Sequence, residues 1–244
     1  MAGDNRKEGV VSWPKVVLFG DSLTQRGFSS EGCWCSLTAD YLTRKCDVLN
    51  RGFSGYTSRW CKLALPKLVT STEAKDILLF TIFLGANDSN DSIINLRQHV
   101  PLEEFKQNLV EIVEYLQSIG VGRDKIVLIG PPAVDEQAWA RYSREVNNME
   151  SGKTDALTKA YSQAVSQAAS QSGTEFIDIF SEMKKSDNWR TMLVDGLHFS
   201  NTGSHFVFDI LKPTIDRRTS HLPTLLPDWK DVNTENPEDS FNRL

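Results

Sequence analysis

Val17-Leu18-Phe19-Gly20-Asp21-Ser22-Leu23-Thr24 is a run of three apolar residues that meets a glycine, an acid and a serine. An apolar run closed by turn residues reads as a buried strand ending in a tight turn, and the strand predicted here is Lys15–Gly20. Four more short runs read the same way, at Asp47–Gly52, Ile77–Gly85, Lys125–Gly130 and Glu175–Phe180. Between them the spacing of apolar residues predicts helices at about Trp34–Lys45, Ser58–Leu68, Leu102–Ile119 and Thr154–Gln171. A last helix is expected from Ser200, whose hydroxyl suits an N-cap, towards Leu211, ending before Pro213. Strands separated by helices pair in parallel through right-handed crossovers. The predicted fold is therefore α/β, a three-layer α/β/α sandwich with a five-stranded parallel sheet. Ligands bind such sheets beyond the carboxyl ends of the strands, where Ser22 stands.

The 244 residues suit one domain, expected over residues 15–216, with an amino-terminal extension at 1–14 and a carboxyl-terminal tail at 217–244. Pro223, Pro227 and Pro237 break regular structure in the tail, where acidic residues outnumber basic ones. A net charge of -5 and a pI of about 5.5 provide no basic field for phosphate backbones, so no nucleic-acid partner is expected. Met1 to Ser12 lacks the apolar stretch of a secretory signal, and Ile77 to Leu84, interrupted by Thr81, is far short of the ~20 residues that span a bilayer. A cytoplasmic protein without a membrane span is expected. Cys33, Cys35, Cys46 and Cys61 form no C-x-x-C pair or zinc-type spacing, and they read as free thiols with no metal site. Asn87-Asp88-Ser89 and Asn90-Asp91-Ser92 match the glycosylation acceptor pattern.

A serine hydroxyl is a weak nucleophile until a base takes its proton, so Ser22 calls for a histidine and a group to hold that histidine. Of four histidines, His198 has Asp195 three residues before it in a glycine-containing loop. His99 lies in a polar linker and His221 in the tail, both expected on the solvated surface, and His205 with Asp209 fits a helix-surface pair. Asp195 and His198 also fit a plain loop hydrogen bond. Gly55 offers a backbone N–H, Asn87 a side-chain amide and Ser22 its own N–H, which are the kinds of donor a developing oxyanion needs. Gly52 and Gly55 equally suit turn geometry, and Asn87-Asp88 a loop turn. Asp21 and Asp88 read as loop braces that bond to backbone. Ser54 is the second candidate nucleophile, although Gly52-Phe53-Ser54-Gly55-Tyr56 lacks the G-x-S-x-G spacing of the α/β-hydrolase elbow. No G-x-x-x-x-G-K-[ST], G-x-G-x-x-G or H-E-x-x-H is present.

Taken in order, Gly20-Asp21-Ser22-Leu23, Asn50-Arg51-Gly52-Phe53-Ser54-Gly55, Gly85-Ala86-Asn87-Asp88 and Asp195-Gly196-Leu197-His198 resemble the four blocks of the SGNH (GDSL) hydrolase superfamily. Phe19 to Thr24, Asp47 to Tyr56 and Phe83 to Asp88 resemble its isoamyl acetate-hydrolysing esterase branch. The resemblance implies a flavodoxin-like sheet and a serine esterase that needs no cofactor and cleaves small-molecule esters, most of all acetates, through an acyl-enzyme. It also implies roles. Ser22 is the nucleophile, His198 the base and then acid, Asp195 the orienting carboxylate, and Ser22, Gly55 and Asn87 are the oxyanion donors. Dimers occur in the branch, so a homodimer is a candidate assembly. The alternatives are deacetylation of a sugar or lipid ester and a catalytically silent binding protein of the same fold. Leu23, Phe53, Trp139, Leu197 and Phe199 are the apolar candidates for pocket walls, in an arrangement the sequence leaves open.

Overall fold

The computed structural model describes residues 12–29 and 33–241, so most of the expected extension at 1–14 lies outside the described residues. β1 (Lys15–Gly20) runs into a one-turn helix, α1 (Ser22–Gln25), whose N-cap Asp21 accepts a hydrogen bond from the Leu23 N–H. α2 (Trp34–Tyr41), β2 (Asp47–Gly52), α3 (Ser58–Ala64), the single turn α4 (Ser71–Ala74) and β3 (Ile77–Phe83) follow. The second half comprises α5 (Leu102–Ser118), β4 (Ile126–Ile129), α6 (Glu136–Glu145), α7 (Asp155–Ser172), β5 (Glu175–Ile177), α8 (Ile179–Lys184) and α9 (Asn201–Thr219).

All neighbouring strands are parallel, in the order β2-β1-β3-β4-β5. The direction of winding reverses between β1 and β3, and the crevice at such a reversal is where open α/β sheets bind ligands. Gly20 at the end of β1 is in register with Gly52 on one side and Phe83 on the other, so the loops carrying Ser22, Gly55 and Asn87 leave the sheet side by side.

Alternation along β1 builds the two cores. Val16 and Leu18 pack with Trp34, Val207 and Leu211 in one layer, while Val17 and Phe19 pack with Phe105, Leu109 and Tyr161 in the other. Each such buried side chain contributes about 1.5–3 kcal/mol. β2 is an edge strand, which explains how it carries half-buried Asn50 and Arg51, as the other edge strand, β5, carries Glu175.

The helices predicted to Lys45 and Leu68 end at Tyr41 and Ala64, the strand predicted to Gly85 ends at Phe83, and two further boundaries are corrected with a physical reason. β5 stops at Ile177 instead of Phe180, because Asp178 accepts a hydrogen bond from the Ser181 N–H at 3.0 Å and starts α8 there. Ile179, Phe180 and Met183 are buried from that helix, and a short apolar run fits a buried helix as well as a strand. α9 does not end before Pro213 but continues to Thr219. An internal proline costs roughly 3 kcal/mol. Against this, Leu211 and Ile215 are buried on either side of it, and Glu175 pairs with Arg217 and Arg218 of the last turn. The first three residues of the 217–244 segment are therefore helical. Beyond α9 the chain is tied to the turn that follows α2: the Arg44 guanidinium donates to the carbonyls of Leu225, Leu226 and Pro227. No described helix is long and apolar enough to cross a membrane.

Candidate active site

Ser22 opens α1 directly behind β1, and Asp195 and His198 sit in the loop ahead of α9; the three are 7–8 % exposed. His198 Nε2 lies 3.0 Å from Ser22 Oγ, and His198 Nδ1 lies 2.6 Å from Asp195 Oδ2. An ionised carboxylate only accepts hydrogen bonds, so Nδ1 carries the proton and Nε2 turns its lone pair to the serine hydroxyl. Asp195 Oδ1 accepts the N–H groups of Leu197 at 3.0 Å and His198 at 2.8 Å, which wraps the loop around the carboxylate. Burial pushes the Asp195 carboxyl up, but the hydrogen bonds and charge of His198 with these two N–H groups outweigh it and hold the pKa below the ordinary value. Gly196 has φ +96°, and a Cβ there would come within 2.4 Å of the Trp139 backbone nitrogen, so the turn requires glycine. Trp139 stands edge-on to the His198 ring, 5.8 Å between centroids, and Arg26 Nη1 lies 3.9 Å from Asp195 Oδ2.

The second half of the site faces these groups from β2 and β3. Gly55 has φ +79°, which favours glycine, and its N–H makes no hydrogen bond among the described residues. Asn87, 6 % exposed, donates from Nδ2 to the Tyr56 carbonyl at 2.9 Å. Gln98 Nε2 donates to the Gly55 carbonyl at 2.9 Å and to Asn87 Oδ1 at 3.4 Å, while Gln98 Oε1 accepts from Asn95. Two acceptors thus face one amide nitrogen, and this sets the Asn87 amide with its oxygen towards Gln98 and its NH₂ away from it. One Asn87 N–H bonds Tyr56, and the amide has a second N–H to give.

Behind both halves lies a buried group of charges. Asp21 and Asp88 are fully buried and Lys153 is 5 % exposed. Each acid bonds backbone through Oδ1, Asp21 to Leu23 N and Asp88 to Ser58 N at 2.8 Å, as loop braces should. Neither Oδ2 has a hydrogen-bond partner among the described residues. Lys153 Nζ donates to the carbonyl of Ala86, next to Asn87, and its backbone pairs with Asn90 in an isolated antiparallel bridge. Burial raises Asp21 to about 7 and Asp88 to about 6, and lowers Lys153 to about 8 against the pull of the two acids.

Ser54 is exposed and has no histidine beside it among the described residues; its N–H is taken by Gln25 Oε1. His99 is not the solvated residue expected. It is half-buried, and its Nδ1 donates to the Asn90 carbonyl at 2.7 Å. His205 and Asp209 are exposed on α9 without an ion pair between them, and His221 is exposed. The four cysteines are free thiols. Among the described residues no group of three or more His, Cys, Asp or Glu is placed to hold a metal ion. Of the apolar residues proposed as walls, Leu23 and Phe199 line a cavity of about 220 Å³ that opens on Ser22 and His198, whereas Phe53, Trp139 and Leu197 do not. Gln98, Lys153 and Arg26 were missed from the sequence, where each is one polar residue among many.

The family model of the GDSL-like lipase/acylhydrolases matches residues 18–206. The "Isoamyl acetate-hydrolyzing esterase 1 homolog" of Mus musculus is 44% identical over 228 residues, covering 93% of this chain and 91% of that protein. The "Isoamyl acetate-hydrolyzing esterase" of Saccharomyces cerevisiae is 32% identical over 238 residues, covering 91% of this chain and 96% of that protein. A lipase/acylhydrolase from Enterococcus faecalis superposes with a TM-score of 0.67 over 88% of this chain and 100% of its own, at 22% identity, a likeness of fold alone.

Proposed function

The chain belongs to the GDSL-like lipase/acylhydrolase family and is a carboxylic ester hydrolase, and from this we propose that it cleaves small carboxylic esters, acetates foremost, through an acyl-serine intermediate. The observation that carries the reading is the unbroken line from Ser22 Oγ through the His198 ring to Asp195, with spacings of 3.0 and 2.6 Å. The acetate preference draws support from the names of the relatives, of which the murine protein is 44% identical.

In this reading His198 Nε2 takes the hydroxyl proton as Ser22 Oγ bonds to the carbonyl carbon. The carbonyl π pair moves onto oxygen, where the N–H groups of Ser22 and Gly55 and the free N–H of Asn87 receive the charge. The Ser22 N–H is one of the first-turn donors that a helix leaves without an internal acceptor. When the oxyanion collapses, the carbon–alkoxy bond breaks and His198 returns its proton to the departing alcohol. Water then adds to the acyl-serine by the same sequence, releasing acid and restoring the hydroxyl. Asp195, held ionised by its hydrogen bonds, keeps the Nδ1–H tautomer and stabilises the imidazolium. A fluorophosphonate is expected to label Ser22 stoichiometrically and to abolish hydrolysis of p-nitrophenyl acetate; labelling elsewhere with full loss of activity would overturn the assignment.

A further inference from the structure

We propose that the cavity beside His198 holds the alcohol half of the ester, with the acyl half outside it; this rests on the acyl-serine reading above. The cavity of about 220 Å³ borders Ser22 and His198, and its apolar wall is formed by Leu23, Gly27, Trp34, Val194 and Phe199. Neither Gly55 nor Asn87 lines it.

That asymmetry assigns the cavity. The tetrahedral carbon carries four groups, namely Ser22 Oγ, the oxyanion, the alkoxy oxygen and the acyl chain. The oxyanion must face the Gly55 and Asn87 donors, away from the cavity. The alkoxy oxygen must come within about 2.6–3.2 Å of His198 Nε2, which hands it a proton. The acyl chain takes the remaining direction, and no step requires it near the imidazole. A cavity that borders the imidazole and the nucleophile but neither Gly55 nor Asn87, the two donors opposite, is therefore placed for the alkoxy group. Its volume of about 220 Å³ suits a small alkoxy group. Among the described residues Arg26 is the one lysine or arginine on its wall, and it lies 3.9 Å from Asp195. The apolar wall suits the hydrocarbon part of a short neutral alcohol.

Val194 is the wall position to change, because it is 64 % exposed and a larger side chain there fills the cavity mouth without entering the core. The experiment compares Val194→Trp with the parent enzyme on two series: ethyl, butyl and hexyl acetate, and p-nitrophenyl acetate, butanoate and hexanoate. The expected result is that the hexyl-to-ethyl ratio of kcat/KM falls about tenfold, while the hexanoate-to-acetate ratio stays within about twofold. A fall in the hexanoate ratio, with or without the hexyl ratio, would place acyl carbon in the cavity, and two unchanged ratios would place neither half there; each overturns the proposal. A second measurement follows the acetyl-enzyme with hexanol added. The hydroxyl oxygen of hexanol bonds to the acetyl carbon, its proton passes through His198 to Ser22 Oγ, and hexyl acetate forms in competition with acetic acid. Val194→Trp should shift this partition towards acetic acid. A partition present in the parent and unchanged in the variant defeats the cavity assignment alone. No hexyl acetate from the parent at any hexanol concentration defeats the acyl-serine reading beneath it.

Discussion

Ser22, His198 and Asp195 are joined to one another by two direct hydrogen bonds, whereas Gly55 and Asn87 are held by residues outside both groups. Gln98 bonds the carbonyl of one and the side-chain oxygen of the other, Tyr56 fixes the Asn87 amide, and Lys153 grips the carbonyl just before it. In the proposed mechanism the acid–base half is thus a chain of side chains, and a single substitution cuts it. The donor half depends on where loops are placed, and its accuracy is distributed over several supports. Losses should be steep in the first half and graded in the second.

The largest effect tests the chain. Asp195→Asn is expected to lower kcat by roughly 10⁴-fold, because an amide N–H facing the ring favours the tautomer that puts a proton on Nε2. A steady-state loss of less than tenfold would break the contrast. In the donor half, Asn87→Ala should lower kcat by roughly 10²–10³-fold with KM little changed, since the bond is strongest once the oxyanion has formed. Asn87→Asp should be at least as harmful; a simple turn residue would instead be rescued by Asp, and an active variant would remove Asn87 from the donor set. Gln98→Leu sharpens the comparison by removing a support rather than a donor. One net hydrogen bond of about 0.5–1.5 kcal/mol corresponds to a fall in kcat of up to roughly tenfold, with KM unchanged. Gln98→Glu, which aims a carboxylate at two acceptors, should fall further.

A separate effect is on stability. Asp21 titrates at about 7 in the fold against an ordinary 3.8, so the folded protein binds its proton more tightly than the unfolded chain. The cost of burying its charge is absent at about pH 4 and grows until the pH passes the folded value. Asp21→Asn keeps the acceptor for Leu23 and should gain on the parent by a few kcal/mol between about pH 4 and pH 8, read by denaturant unfolding at each pH. Lys153 acts in the opposite sense, with its penalty full below about 8 and relieved as the pH rises further. A stability difference that does not change with pH would mean that Asp21 carries no buried charge.

The same contrast explains what could be read from the residues. β1 and β3 were legible because both are continuous apolar runs in the middle of the sheet, and the sites of Ser22 and Asn87 follow from their ends. Asp195 and His198 were legible because they are three residues apart, and so was their pairing. The supports were not. Gln98 lies 43 residues from Gly55 and Lys153 lies 67 from Ala86, and nothing local marks either contact. A buried lysine in particular contradicts the usual reading of its type, and only the fold brings it between two acids. The errors at Phe180 and Pro213 have a related cause, because capping by Asp178 and the packing of α9 against the sheet decide those boundaries where periodicity and proline are ambiguous.

In the proposed mechanism the acyl group is carried by Ser22. Enzyme mixed with excess p-nitrophenyl acetate, quenched in acid within the first turnover and mapped by peptide mass spectrometry, should carry one acetyl group on the peptide containing Ser22. The amount should match the burst of p-nitrophenol, and both should vanish in Ser22→Ala. Acetyl on the Ser54 peptide, or a burst with no acetyl on Ser22, would rule out Ser22 as the acyl carrier.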